Sequence, residues 1–343
     1  MKKKLIAMVV SAAAAIPAVA MADVTVYGRA HVSADMLDDG KDYSEFNISS
    51  NSSRLGFKGN HEINPDLKAF FQIEQEVLFG SKVGSTLNTR DTFVGLSGNF
   101  GAVQAGRFDS PFKVARGPAN LFGDQVGDMK NLARVEKAKF DERYENTIQY
   151  TTPTFSGFNA KLGYSVHEGA SAASDHKSDS VSLSLNYGAG PLEAAVAYEQ
   201  VGEDVGERDG IRLAAAYKLT NALKLVGFYQ TVEYSGDATA ADNDISSSDV
   251  YGLGGELKVA ANTAVKAMWM ARSAEADNRD SDMLAVGIEH KLDKAVRVYA
   301  NYAMLNNDKL TKQTPWKEGR SAAPGGTLDE TASGFSVGLR YDF

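Results

Sequence analysis

Apolar and polar residues alternate along most of this chain, and this alternation constrains the fold more than any other feature. From Phe335 to Phe343 every second residue is apolar or aromatic, and the residues between them are polar or small. The same pattern recurs at 158–166, 181–187 and 211–219. Successive side chains of a β-strand point to opposite faces. Each segment therefore predicts a strand with one apolar and one polar face, and no helical period of useful length competes with it.

The connections between these segments alternate between short and long. Short turns are predicted near 64–66, 98–101, 153–157, 188–191, 220–222, 261–263 and 293–294. Longer polar stretches cover about 38–50, 80–88, 109–142, 167–178, 202–209, 235–248, 274–281 and 307–331. Together they join sixteen predicted strands. Roughly 20 residues per strand with its connection suit the ~10-residue strands of outer-membrane barrels, which have short turns at one end and long loops at the other.

The first residues indicate export. Three lysines open the chain, an apolar and Ala-rich run extends from Leu5 to Ala20, and Ala20-Met21-Ala22 has the small-x-small pattern of a cleavage site. We therefore expect 1–22 to be a secretory signal peptide and 23–343 to form the barrel. A transmembrane anchor is the alternative, but the run is short and ends at a cleavage site.

Composition narrows the class of protein further. The 343 residues include no cysteine, which excludes disulfides, thiolate metal sites and cysteine catalysis. The net charge of −8 disfavours nucleic acid as a partner. No stretch after the first 22 residues approaches the ~20 apolar residues of a membrane helix, so the exported chain is either soluble or a closed transmembrane barrel.

A soluble periplasmic β-sandwich would also alternate. Two observations favour the all-β, antiparallel transmembrane barrel instead. Many apolar faces end in aromatic residues near the turns, as girdles at a membrane interface do. The opposite faces carry Lys, Arg, Glu and Asn on strand after strand, which suits a water-filled lumen.

Five segments resemble the general diffusion porins of Gram-negative bacteria. They are Val24–Ala30, Ser53–Gly59, Thr89–Leu96, Ala105–Arg107 and Gly334–Phe343, which ends in an aromatic residue. Each segment alone is weak evidence for the family. The five segments together are strong evidence, because they occur in the family's order over the whole mature chain. The resemblance implies a sixteen-stranded barrel, usually a homotrimer, whose third long loop folds inward as a constriction.

That loop corresponds to 109–142. A stretch of this length without a repeating pattern is usually functional, and Phe112, Leu121, Phe122 and Met129 give it apolar anchors that a solvated loop would not need.

In the family, basic wall residues face acidic groups on the inward loop. The resemblance places the basic side on Arg29, Arg54, Arg90 and Arg143, and strand parity puts three of them on polar faces. It places the acidic side on Asp124 and Asp128, although Leu121 stands where enteric porins usually carry Glu. Arg107, just before the loop, is expected to pin it to the wall.

The external faces of the first five strands are poor in bulky residues. Alternation places Asp91 and Gly95 on that outer side. Charge facing lipid is costly, so this face predicts a protein interface and indicates an oligomer.

The predicted function is passive diffusion of ions and small hydrophilic solutes through an outer-membrane channel. An anion- or solute-selective channel with an arginine ladder is the alternative. An outer-membrane enzyme and a plugged, adhesive barrel are further hypotheses. The five scattered histidines fit no metal motif, and no nucleophile elbow or phosphate loop occurs. We therefore expect no enzymatic activity, no cofactor and no metal; the expected partners are outer-membrane lipid and lipopolysaccharide.

Overall fold

The computed structural model describes residues 23–79, 87–134, 141–166, 179–203, 206–236, 247–316 and 323–343. The predicted signal peptide, 1–22, and the predicted loop 167–178 lie outside these residues. None of the helices in the described ranges is long and apolar enough to cross a membrane.

Antiparallel strands dominate the described residues. They are β1 (Asp23–Asp38), β2 (Ser44–Ser50), β3 (Arg54–Asn64), β4 (Leu67–Val77), β5 (Leu87–Gly98), β6 (Gly101–Asp109), β7 (Arg143–Thr151), β8 (Phe158–Ser165), β9 (Ser180–Ala189), β10 (Leu192–Glu203), β11 (Gly206–Lys218), β12 (Leu223–Gly236), β13 (Ser248–Ala260), β14 (Thr263–Ala274), β15 (Ser281–Lys291), β16 (Val296–Asn307) and β17 (Thr331–Asp342). Two single-turn helices, α1 (Pro111–Val114) and α2 (Lys130–Ala133), lie between β6 and β7.

The sheet closes on itself, because β1 pairs with β17 on one side and with β2 and β3 on the other. Strands β2 and β3 are two halves of one barrel strand, interrupted at 51–53, where Ser52 has a φ of 54°. The barrel therefore has sixteen strands, as predicted. Closure leaves no free sheet edge among the described strands, which distinguishes this architecture from a sandwich.

The predicted connections are confirmed at most boundaries. All seven short turns lie between consecutive strands, and the longest loop begins after Asp109 and ends before Arg143. The stretch 38–50 differs, because β2 occupies its second half and pairs with β1, with Phe46 opposite Met36. Phe46 and Ile48 are the exposed outer residues of β2, and the polar sequence around them concealed this short alternation.

The outer surface of the barrel is apolar, as a lipid-facing surface must be. Exposed aliphatic side chains line it, and exposed aromatic residues such as Phe100, Phe155 and Phe158 lie at the short-turn end. This arrangement matches the aromatic girdle of transmembrane barrels.

The predicted outward positions of Asp91 and Gly95 are wrong. Val94 is 62% exposed and Leu96 is 44% exposed, so these residues mark the outer side of β5. Asp91 instead forms an ion pair with Arg143 inside the barrel. A register shift opposite Glu74 interrupts simple alternation, and as a result Arg90 and Asp91 both reach the interior.

The inner wall of the barrel is not polar throughout. Met268, Met270, Met283 and Leu305 face inward on β14 to β16 and are fully buried. Together with the loop side chains Leu121, Phe122, Val126, Met129 and Leu132, they form one apolar cluster. The loop after β6 therefore packs against the wall formed by the later strands, and the polar wall of β1 and β3 to β6 lies opposite.

Candidate functional site in the barrel interior

The loop leaves β6 through a short capped helix. Ser110 caps α1, because its hydroxyl accepts a hydrogen bond from the Lys113 amide at 3.1 Å, and proline occupies the first helical position. Phe112 is fully buried and its amide donates to the Ser182 hydroxyl at 3.0 Å. These contacts fix the start of the loop on β9.

Asp124 lies at the turn of the loop that meets the opposite wall. Its backbone φ is 63°, a left-handed conformation that Asp tolerates better than most residues. The Asp128 carboxylate accepts a hydrogen bond from the Asp124 amide at 2.7 Å, and the Ser52 hydroxyl donates to Asp124 Oδ1 at 3.2 Å. Both contacts hold this turn in place.

Three cations surround the Asp124 carboxylate. Arg29 Nη1 lies 3.4 Å from Oδ2, Arg54 Nη2 lies 3.8 Å from Oδ2, and Lys130 Nζ lies 3.7 Å from Oδ1. Burial by itself would raise the pKa of Asp124, but Lys130, Arg54 and Arg29 outweigh it and hold this pKa well below its usual value. Asp124 is therefore ionised, and three cations lie within 4 Å of its carboxylate.

Glu74 organises the next part of the wall. Its Oε1 atom lies 2.7 Å from Arg90 Nε and 3.5 Å from Arg54 Nη1, and its Oε2 atom accepts a hydrogen bond from the Tyr27 hydroxyl at 2.9 Å. Arg90 also approaches Glu76 at 4.0 Å. One buried carboxylate thus holds two arginines side by side across β3, β4 and β5.

Arg143 continues the row on β7. It pairs with Asp91, and its Nη2 atom lies 2.9 Å from Asp109 Oδ1. Lys113 of the loop reaches the same Asp109 oxygen at 3.2 Å. The wall and the beginning of the loop therefore share this carboxylate.

The four predicted arginines form an arc across neighbouring strands of the inner wall. Their side chains retain 11–18% of their exposure, so water reaches each of them. Every one is held by at least one carboxylate. The arrangement presents fixed, hydrated and oriented charge toward the barrel interior.

A closed barrel with a polar inner wall and an inward loop can be compared with known proteins. The sequence profile described as "Gram-negative porin" matches residues 8–310 of this chain. The chain belongs to the Gram-negative porin family. It is an outer-membrane channel protein, and its water-filled barrel allows passive diffusion of ions and small hydrophilic solutes.

Similar proteins extend over the full chain. This porin is 32% identical to outer membrane porin protein 32 of Delftia acidovorans over 365 aligned positions that cover 100% of both chains. It is 27% identical to the major outer membrane protein P.IB of Neisseria lactamica, again with 100% of both chains covered.

Solved structures give the same result. An anion-selective porin from Comamonas acidovorans is 27% identical, with a TM-score of 0.82, and the match covers 94% of this porin and 100% of that chain. OmpT of Vibrio cholerae in a trimer form is 20% identical, with a TM-score of 0.70, and the match covers 93% of this porin and 99% of that chain. The latter likeness concerns the fold alone.

The structure separates the two acids that the sequence grouped together. Asp124 is partly exposed beside the arginines, whereas Asp128 is 1% exposed. Asp128 accepts hydrogen bonds from the amides of Asp124 and Lys130. The prediction that Asp128 lines the pore is therefore wrong, and its carboxylate shapes the loop from within.

Arg107 does not occupy the predicted pinning position. Its Nη1 atom lies 2.5 Å from Glu145 of β7, and it is in register with Thr92 on the side of β5 that carries Val94 and Leu96. Arg107 therefore faces outward. The bulge between Gly106 and Phe108 made its orientation hard to predict.

Other side chains hold the loop instead. Lys266 Nζ donates to the Leu121 carbonyl at 3.0 Å, and Arg212 contacts both Asp141 and the Phe112 carbonyl. Trp316, from the connection between β16 and β17, joins the same apolar cluster. Apolar residues at lumen-facing positions, such as Met268, were the sequence signal that could have revealed where the loop packs.

Proposed function

We propose that the narrowest section of this porin lies between the loop 109–142 and the arc of Arg29, Arg54, Arg90 and Arg143. Asp124 is the acidic group of this constriction. The observation that carries the proposal is the group of three cations within 4 Å of the single Asp124 carboxylate. Guanidinium and ammonium groups that remain accessible to water at a constriction favour small anions over cations of the same size.

Local charge, and not the net charge of the chain, determines this preference. The chain carries −8 overall, but charges on the outer loops are screened over about 8–10 Å at physiological ionic strength. The anion-selective porin of Comamonas acidovorans, similar over almost the whole chain, supports the same assignment. We propose that the channel admits a broad range of small hydrophilic solutes and has no enzymatic activity.

Reversal potentials in planar bilayers test the proposal. The measurement uses a potassium chloride gradient across a bilayer that contains the purified protein. We expect ohmic current steps and a reversal potential that is displaced from zero toward the equilibrium potential of chloride. A potential on the potassium side would contradict the anion preference. Absence of any conductance would contradict the channel function itself.

We also propose that the porin assembles as a homotrimer through a face that includes β5 to β7. Arg107 and Glu145 form an ion pair on the outward side there, and Arg107 is six residues from the turn that ends at Gly101. That distance is about 20 Å along the strand, within the ~25 Å apolar band of a tilted barrel. A charged pair at this depth fits a protein contact better than lipid. Native mass spectrometry of the detergent-solubilised protein, compared with an Arg107→Ala, Glu145→Ala variant, tests this assembly.

We further propose that residues 1–22 are removed on export. Amino-terminal sequencing of the protein from outer membranes should begin at Asp23.

A further inference from the structure

A row of aromatic rings lies on the inner wall beside the arginine arc. Tyr27 is in register with Gly56, and Phe70 is in register with Gly95. A Cβ atom built on either glycine would lie 2.5 Å from the neighbouring ring, so each ring covers the glycine of the adjacent strand. Rings held in this way rest against the wall and turn toward the interior.

Phe93 extends the row to β6. Its ring packs edge to face with Phe70, at 6.1 Å between centroids, and with Phe108, at 5.6 Å. Phe108 is buried, whereas Tyr27, Phe70 and Phe93 are partly exposed. The exposed side chains of Lys58 and Lys68 on the same wall show that this part of the interior is open to water.

The row lies next to the charged residues. Tyr27 shares a face of β1 with Arg29, Phe70 shares a face of β4 with Glu74, and Phe93 shares a face of β5 with Asp91. Each ring is two to four residues nearer the short-turn end than its charged neighbour, or about 7–13 Å along the strand. Lys58 Nζ also lies 5.0 Å from the centre of the Tyr27 ring.

The chemistry of this row is distinct from that of the constriction. Guanidinium and ammonium groups bind carboxylates regardless of the rest of the solute, but partly exposed ring faces and edges favour a solute that carries a π-system. We propose that Tyr27, Phe70 and Phe93 form a weak binding station for aromatic carboxylates on the periplasmic side of the constriction. This inference rests on the proposed anion preference and names a class of solute for it.

Benzoate and cyclohexanecarboxylate distinguish the aromatic effect from charge and size. Both are monoanions of similar size at neutral pH, but only benzoate has a π-system. In a bilayer with a fixed potassium chloride background, the concentration of each acid that halves the chloride current is measured. We expect benzoate to act at about a three- to tenfold lower concentration, the range of a single aromatic contact. Equal concentrations would overturn the inference.

Substitutions locate the effect. In a Phe70→Leu, Phe93→Leu variant the two acids should block at similar concentrations, and Phe70→Leu alone should reduce the difference. Phe71→Leu is the matched control, because Phe71 is in register with the outward-facing Val94, and it should retain the wild-type ratio. A benzoate advantage that survives both Phe70 variants, or that is lost in Phe71→Leu, would also overturn the inference.

Reversal potentials measured in the same bilayers distinguish a failure of this inference from a failure of the proposed function. The reversal potential reports the anion preference without any aromatic solute. A channel without anion preference contradicts the proposed function, whatever the block shows. A channel that prefers anions but responds equally to both acids contradicts the aromatic station alone.

Discussion

Arg212 Nη1 lies 2.6 Å from Asp141 Oδ1 and also donates to the Phe112 carbonyl at 2.7 Å. One fully buried side chain of β11 therefore joins the beginning and the end of the inward loop. Arg116 of the loop pairs with the same aspartate. The loop is held at both ends by buried charge and along its middle by apolar contacts.

Loss of Arg212 should destabilise the protein strongly. In Arg212→Met the buried Asp141 loses a partner, and we expect a loss of about 3–5 kcal/mol, as for other broken buried pairs. Urea unfolding followed by heat-modifiable gel mobility measures this loss. Lys218→Gln is the control, because its pair with Glu193 is more than half exposed, and it should cost at most about 1 kcal/mol. Similar midpoints for the two variants would argue against the role of Arg212.

Arg90→Ala should widen the constriction and weaken its preference for anions. The substitution removes one cation of the arc and leaves Arg54 as the nearest cation to Glu74. Single-channel conductance should therefore rise, and the reversal potential in a salt gradient should move toward zero. An unchanged conductance and potential would remove Arg90 from the constriction.

Asp124→Asn should have the opposite effect on selectivity. The substitution removes the carboxylate that faces Arg29, Arg54 and Lys130, so the reversal potential should move further to the chloride side. Glu193→Gln makes the same change of charge at an exposed position away from the loop and should leave the potential unchanged. A shift of equal size in both variants would mean that the channel responds to overall charge.

The pKa of Asp124 predicts how selectivity depends on pH. Because its pKa in the folded protein is depressed, the ionised carboxylate stabilises the fold at pH values above its unfolded pKa of about 3.9. That contribution is lost only as the pH falls below this value toward the folded pKa. Asp124 should therefore add no inflection to the reversal potential between about pH 7 and pH 5. An inflection in this range that Asp124→Asn abolishes would contradict the assignment.

Trp316 should restrict the motion of the loop 109–142. Its side chain is buried in the apolar cluster beneath the loop, and the neighbouring Pro315 carbonyl accepts a hydrogen bond from the Gly127 amide at 2.8 Å. Trp316→Ala leaves a cavity of a size that costs about 3–5 kcal/mol in other proteins. We expect noisier open-channel current and frequent substates in bilayer recordings. Trp269→Ala, on the outer face, should show the current noise of the wild-type channel. Equal noise in the Trp269→Ala and Trp316→Ala variants would indicate a general loss of stability.

The barrel was predictable because alternation depends only on the period of a strand. The strands after β7 keep this period with few irregularities, so their turns and loops were located to within a few residues. Register shifts defeated the same reasoning on β5 and β6. Asp91 and Arg107 were assigned to the wrong positions because a single extra residue reverses the direction of the side chains that follow.

The candidate site was predictable only in part, for a different reason. The positions of Arg29, Arg54, Arg90 and Arg143 followed from parity and resemblance, but their partners depend on strands that are distant in sequence. Nothing in the residues around Glu74 indicated that it would hold two arginines. Asp124 is partly exposed and Asp128 is buried because of the backbone conformation of one turn, which residue types alone do not specify.

The ion pair between Arg29 and Asp342, at 2.8 Å, crosses the seam where β1 meets β17. The charge pattern of the pore therefore includes a contact between residues 313 positions apart. That contact cannot form until the last hydrogen-bonded ladder of the ring is in place. A partly assembled barrel would lack this contact of Arg29, so the charge arrangement of the proposed constriction is completed only when the barrel closes.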